Sequence, residues 1–258
     1  MPNIPPVIAI AKQAGEVALA MQKDVVRESK KDGEVTTRAD RSSDEILRRG
    51  LEKFGFPVFS EDSTNDVIKS DAHWIIDPLD GTLPFLDHSP EWTVMVGFVQ
   101  GNQPTLGVVY APAQKKLWYA DASGAFCEVG GVRNPIHVSM KTDPSDAVML
   151  TSIFHHSPEM DSLAHNLNAT QKPMHGMGAK VCAVAEGAAE MVWSAGSIGQ
   201  WDVCGPHAIL IAAGGMLTDG KGNEIQYSGT DRVSGVAASN GLLHAALVGA
   251  ARETSTER

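Results

Sequence analysis

Trp74-Ile75-Ile76-Asp77-Pro78-Leu79-Asp80-Gly81-Thr82 runs an apolar stretch directly into two carboxylates, a turn and a hydroxyl. Three apolar residues suit a buried strand, and Pro78 has no N–H with which to continue a ladder. Asp77 and Asp80 are therefore expected on the turn by which the chain leaves a sheet, where both can face one ion. Gly81 lets backbone approach a ligand closely, and the N–H groups of Gly81 and Thr82 would face an anion if Thr82 opens a helix. Asp-Pro and Asp-Gly are also ordinary turn formers, so taken alone the stretch reads equally as a plain strand exit.

Two distant segments tip that balance. Phe59-Ser60-Glu61-Asp62-Ser63 follows a short apolar stretch, and Gln200-Trp201-Asp202 precedes a helix expected over Asp202 to Ala213. Glu61, Asp77, Asp80 and Asp202 together form an all-oxygen donor set. Such a set suits Mg²⁺, a hard cation that keeps several waters and bridges carboxylates to substrate phosphate, whereas Zn²⁺ prefers His and Cys at short spacing. Asp202 has a second reading as the cap of its helix, with Pro206 in the first turn, and Asp40 has the same alternative at the start of a helix over Asp40 to Leu51.

The 258 residues suffice for one large domain or two intimately packed halves, approximately 1–145 (α+β) and 146–258 (α/β). At 43% hydrophobic and 20% charged the composition is that of an ordinary globular protein. A net charge of −10 speaks against a nucleic-acid polymer as ligand but not against a small phosphorylated metabolite, because bound metal sets the local field. Cys127, Cys182 and Cys204 are odd in number and widely spaced, which fits reduced thiols in a cytoplasm. No charged leader precedes the stripe of Val7, Ile8, Ile10, Ala11, Ala14, Val17, Ala18 and Met21, which reads as an amphipathic helix over Val7 to Ala20, packed on a core and not on a membrane. Lys30 to Glu34 breaks the pattern.

Thr93 to Val99, Gly107 to Tyr110 and Lys116 to Ala120 read as an antiparallel meander, with turns at Gly101 to Pro104 and Pro112 to Gln114. Val129-Gly130-Gly131 reads as a hairpin turn. Helices are expected over Pro158 to Asn168, Gly178 to Gly187 and Leu242 to Ala251, and strands over Ala188 to Ser194, Met216 to Asp219 and Val233 to Ser239. Arg252 to Arg258 is expected to fray. Periodicity alone supports a mixed α/β (α+β) fold.

The acidic segments resemble the motifs of the inositol monophosphatase superfamily, the lithium-sensitive, Mg²⁺-dependent phosphatases. Val35 to Asp40 is similar to its V-T-x-x-D, Ser60-Glu61-Asp62 to its G/S-E-E/D, residues 77–82 to its D-P-[IL]-D-G-T, and Trp201-Asp202 to its W-D. The resemblance covers nearly the whole chain and implies a five-layer αβαβα sandwich of the sugar-phosphatase type. It implies two or three Mg²⁺ ions, the first held by Glu61, Asp77 and the Leu79 carbonyl, the second by Asp77, Asp80 and Asp202, and a third, weaker one by Glu61 with waters. Thr82, oriented by Asp40, would hydrogen-bond the attacking water. Asp80, Gly81, Thr82, Asp202, His155 and Lys180 would touch substrate. The resemblance leaves room for a homodimer.

Within the superfamily, Trp201 to Leu210, Gly214 to Asp219, Gly107 to Pro112 and Gly178-Ala179-Lys180 are most similar to the 3'(2'),5'-bisphosphate nucleotidases, which implies hydrolysis of adenosine 3',5'-bisphosphate to AMP and phosphate. The alternatives are an inositol-1-monophosphatase or other sugar-phosphate phosphatase, and a non-catalytic phosphometabolite-binding protein of the same fold. Two departures bear on that choice. Ser152-Ile153-Phe154-His155 stands where S-R-S-H is usual, and Leu83 where a basic residue often follows D-G-T. An arginine forks onto phosphate and Ile153 cannot.

Overall fold

A computed structural model describes residues 2–29, 35–62, 70–227 and 232–256; the break expected at Lys30 to Glu34 and the Ser63 end of the acidic segment lie outside them. The first helix, α1 (Ile4–Gln22), is longer than the apolar stripe suggested because Pro5 and Pro6 fit its first turn, where an N–H is not needed. By length and composition α1 is apolar enough to cross a membrane. Its Val7, Ala11, Ala14 and Ala18 are nevertheless fully buried, packed with Leu47, Trp74, Val94 and Val108.

A short antiparallel pair, β1 (Glu28–Ser29) and β2 (Val35–Thr36), leads into α2 (Arg38–Leu51). Next come β3 (Val58–Ser60), β4 (Ala72–Asp80), the five-residue helix α3 (Thr82–Leu86), and the strands β5 (Thr93–Gln100), β6 (Gln103–Ala111), β7 (Lys116–Asp121), β8 (Gly124–Val129) and β9 (Val132–Pro135). These seven strands form one sheet in sequence order, with β3 parallel to β4 and every later neighbour antiparallel. The meander expected from the β-branched runs is there, and Gly130 and Gly131, both at positive φ, make the β8–β9 hairpin turn.

The remaining chain adds β10 (Val148–Ser152), α4 (Pro158–Asn166), β11 (Thr170–Met174), α5 (Met177–Ala185), β12 (Met191–Gly199), α6 (Cys204–Ala212), β13 (Met216–Thr218), β14 (Arg232–Ser239) and α7 (His244–Thr256). Five of these strands make a second sheet, in the order β11-β10-β12-β14-β13. Helices α1 and α2 cover one face of the seven-stranded sheet, α5 and α6 lie between the two sheets, and α4 and α7 cover the far face of the second. The result is an α/β layered sandwich of five layers, as the family motifs implied.

Close contact between layers depends on missing side chains. Gly97 and Gly107 are paired across β5 and β6, and the backbone of α6 rests on them at Gly205. A Cβ on Gly107 would lie 2.2 Å from the Gly205 carbonyl, and one on Gly205 would lie 2.8 Å from the Val96 carbonyl. This seating brings the residues just before α6 against β4.

Three expectations are corrected. Asp80 does not lie beyond the sheet, because β4 continues through Pro78 to Asp80. The strand expected from Ala188 begins at Met191 and runs on to Gly199. Of the polar end expected to fray, Arg252 to Thr256 is helical, with Arg252 donating to the Lys221 carbonyl (Nη2, 2.6 Å) and Thr254 to the Ala250 carbonyl (2.9 Å), while Glu257 and Arg258 lie outside the described residues.

Candidate active site

The end of β4 is a bulge. Asp77 pairs with Met95 and Asp80 with Thr93, so three steps on β4 oppose two on β5. Proline is tolerated at such a position because no ladder bond is lost. Three contacts hold the bulge: Ser43 of α2 donates to the Pro78 carbonyl (2.7 Å), the Leu79 N–H donates to Asp77 Oδ1 (2.9 Å), and Leu79 is buried. Gly81 then turns the chain at φ 97°, where a side chain would be strained, and Thr82 opens α3 as expected.

Asp80 is held from the opposite half of the chain. The Gly178 N–H donates to its Oδ2 (2.9 Å) and the Met177 N–H to its Oδ1 (3.3 Å), both from the first turn of α5, while Thr93 Oγ1 donates to Oδ2 (3.3 Å). Asp202 sits in the turn between β12 and α6. It accepts from the Gly199 N–H (2.8 Å), and the cap position of α6 is Val203, so the capping alternative for Asp202 is not what the chain does.

Asp77, Asp80 and Asp202 converge: one carboxylate oxygen from each lies within 4.8 Å of the others. Burial pushes all three carboxyls above their ordinary values, most strongly at Asp77 and Asp202, and their mutual repulsion adds to it at those two. Glu61 follows β3, its N–H donating to the Ile76 carbonyl (3.3 Å). Its carboxylate stands outside the 4.8 Å group, yet its charge raises both Asp77 and Asp202, so it faces the same space.

Lys180 of α5 is 5% exposed, and among the described residues its ammonium has no hydrogen-bond or ion-pair partner. Desolvation lowers its pKa, opposed by the charges of Asp80 and Asp202. Thr82 Oγ1 donates to Asp40 Oδ1 (3.3 Å), and the other oxygen of Asp40 accepts from the N–H (2.8 Å) and hydroxyl (2.5 Å) of Thr37. Asp40 is thus the third helical residue of a capping box and not the cap itself. Burial raises its pKa, and the Thr37 bonds hold the rise back.

His155 is exposed; its N–H donates to Ser152 Oγ (3.1 Å), and among the described contacts none joins its ring to the carboxylates. Ile153 and Phe154 are exposed as well, with Phe154 packed on the His175 ring at 4.7 Å. Sequence reasoning passed over Ser43, Thr93, Asp44 and the Met177 and Gly178 amides, all of which hold the site's segments.

The donor set suits a hard divalent cation. Two buried carboxylates and the half-buried Asp202 crowd together with one lysine near them, and among the described residues no His or Cys belongs to the group. The inositol monophosphatase family model matches residues 4–256. The chain belongs to that family. It is a phosphoric monoester hydrolase, and family members depend on Mg²⁺ and act on small phosphorylated substrates. The 3'(2'),5'-bisphosphate nucleotidase CysQ of Salmonella typhimurium is 31% identical over 230 residues, 86% of this chain and 92% of its own. An inositol monophosphatase of Mesembryanthemum crystallinum is 30% identical over 267 residues, 94% of this chain and 93% of its own. The solved structure of a Thermotoga maritima IMPase superposes with a TM-score of 0.82 at 25% identity, covering 97% of this chain and 96% of that one.

Proposed function

We propose that this family member is a 3'(2'),5'-bisphosphate nucleotidase, converting adenosine 3',5'-bisphosphate to AMP and phosphate in the cytoplasm. The observation that supports it is Lys180, a buried cation beside Asp80 and Asp202 that has no hydrogen-bond or ion-pair partner among the described residues, where a substrate with two phosphates offers it an anion. Likeness to the CysQ nucleotidases over 86% of the chain adds weight. The opposing observation is the exposed Ile153-Phe154 pair, which offers a second phosphate neither charge nor hydroxyl and favours an inositol or sugar monophosphate.

Asp77, Asp80 and Asp202, with Glu61 and the Leu79 carbonyl, would hold the Mg²⁺ ions. Once bound there, the cations supply the charge that makes water a better nucleophile and neutralises the leaving oxygen. The chain's own groups do the rest. Because Thr82 gives its hydroxyl proton to Asp40, its oxygen is left as an acceptor for a proton of the attacking water, which fixes the direction of attack. The Gly81 and Thr82 amides and the Lys180 ammonium hold phosphate oxygens, and Asp202 lies beside the leaving group. The cysteines take no part: all three are buried, and burial raises each thiol above its ordinary value.

The test is a comparison of kcat/KM for adenosine 3',5'-bisphosphate and inositol 1-phosphate with Mg²⁺. Preference for the bisphosphate by at least about tenfold, equivalent to about 1.4 kcal/mol, is expected. The reverse preference transfers the chain to the monophosphatase reading, and activity that survives a strong chelator removes the metal from either.

A further inference from the structure

One turn of α2 reaches three separate segments of the site. Asp40, Ser43 and Asp44 are spaced i, i+3 and i+4, so they share one helix face. Asp40 accepts from Thr82 at the start of α3, and Ser43, fully buried, donates to the Pro78 carbonyl in the β4 bulge at 2.7 Å. Asp44 Oδ1 accepts from the hydroxyl of Ser60 at 2.5 Å, at the end of β3. The Ser60 oxygen in turn accepts from the Asp62 N–H (3.3 Å), so the bonds on either side of Glu61 are both tied to one hydroxyl. On its other oxygen Asp44 receives Arg48 Nε at 2.7 Å, four residues along the same helix.

We infer that Asp44 is a positioning residue for metal binding: through Ser60 it fixes the turn that carries Glu61, in register with the Thr82 and Pro78 segments held by the same helical turn. The inference rests on Glu61 being a metal ligand. Glu61 stands outside the tight carboxylate group and lies in the two-residue turn that leaves β3, so the bonds that hold Ser60 and the Asp62 N–H set where its carboxylate sits relative to Asp77. Ser60 is fully buried and makes a short bond to a charged acceptor, which is a stiff anchor. Partners that orient metal ligands in this way typically change metal affinity by about 10–100-fold when removed.

The experiment measures Mg²⁺ binding directly by calorimetry on the full chain without substrate, alongside the Mg²⁺ concentration for half-maximal activity. Asp44→Ala and Ser60→Ala are each expected to weaken Mg²⁺ binding by about 10–100-fold. KM for substrate at saturating Mg²⁺ should stay within about twofold of wild type. The double variant should lose no more than either single one, since both remove the same bond. Asp44→Asn keeps an acceptor for the Ser60 hydroxyl but gives up the Arg48 ion pair, and is expected to bind Mg²⁺ as wild type does. If Asp44→Asn binds as poorly as Asp44→Ala, the Arg48 pair and the helix account for the effect and the inference is overturned. It is also overturned if both alanine variants bind normally while Glu61→Gln binds weakly. Normal binding by Glu61→Gln would instead remove the assignment of Glu61 as a ligand, and the two failures are thereby told apart.

Discussion

Asp80 and Asp202 carry the same charge into the same cluster, but different groups hold them, and their Asn variants should part company. Each change removes a charge the cation needs, so kcat is expected to fall at least about a hundredfold in both. Without metal the outcomes differ. Asp202 accepts one N–H, from Gly199, which an Asn carbonyl still accepts, while repulsion from Asp80 and Glu61 is relieved. Its metal-free melting midpoint should match or exceed wild type. Asp80 uses both oxygens on the Gly178 and Met177 amides, and an Asn must turn its NH₂ toward one of them. That mismatch costs about 1–3 kcal/mol, and the midpoint should fall. Wild-type turnover in Asp202→Asn, or a metal-free midpoint for Asp80→Asn above that of Asp202→Asn, contradicts the argument. The convergence of Asp77, Asp80 and Asp202 was legible because distant acidic segments, one of them with Asp, Pro and Gly at a strand end, together made an all-oxygen donor set that none of them made alone. Ser43 and Asp44 were not, since in Arg-Ser-Ser-Asp they look like any solvated helix surface, and their partners lie 35 and 16 residues away.

At the scale of elements, the seat of α6 on β5 and β6 decides whether Asp202 reaches the cluster. Gly107→Ala would drive a methyl into the Gly205 carbonyl, backbone against backbone, where neither side can rotate away. A loss of about 1–3 kcal/mol is expected, with activity lost beyond what stability explains because α6 begins two residues after Asp202. Gly249→Ala on α7 is the control: nothing lies within 4 Å of the added methyl, and helix propensity predicts a gain of about 1 kcal/mol. Urea unfolding of the two variants checks both signs; a neutral Gly107→Ala would mean that the layers slide and the seat is not rigid. The meander could be read because β-branched runs separated by turn residues report their own geometry. The second half of β12 could not, since Ser194-Ala195-Gly196-Ser197 has no alternation, and it is held in the sheet by pairing with β14 across an irregular register. The helical C-terminus was missed for a related reason: its polar residues bond to Lys221 and Ala250, partners that composition does not reveal.

The whole molecule assembles its acidic cluster across the two sheets, Asp77 and Asp80 from β4 and Asp202 from the turn before α6, and one apolar core containing Ile75, Met95, Val192 and Ala238 runs between them. Folding therefore forces like charges together, and stability without metal must depend on pH. The three carboxyls are raised in the folded state above the ordinary value of 3.8. The folded protein thus holds those protons more tightly than the unfolded chain. Their contribution to stability is fully present below that value and is lost as pH rises through the raised folded-state values. Buried histidines act in the other direction: burial lowers His73 and His244 and takes His207 down to about 3, so stability is also lost as pH falls below the ordinary histidine value of 6.5. Raw melting curves mix the two. The difference between wild type and Asp202→Asn isolates the cluster, because the histidines are common to both. In chelator, the variant's advantage in midpoint should be absent near pH 4 and grow toward pH 8, by at most about 1.4 kcal/mol for each pH unit crossed per proton released. Adding Mg²⁺ should reverse the order at pH 8, stabilising the wild type by mass action while the variant, short of a ligand, gains less. An advantage for Asp202→Asn that is flat with pH would mean that the cluster does not titrate on folding, and a variant that gains as much from Mg²⁺ as wild type would remove Asp202 from the metal site.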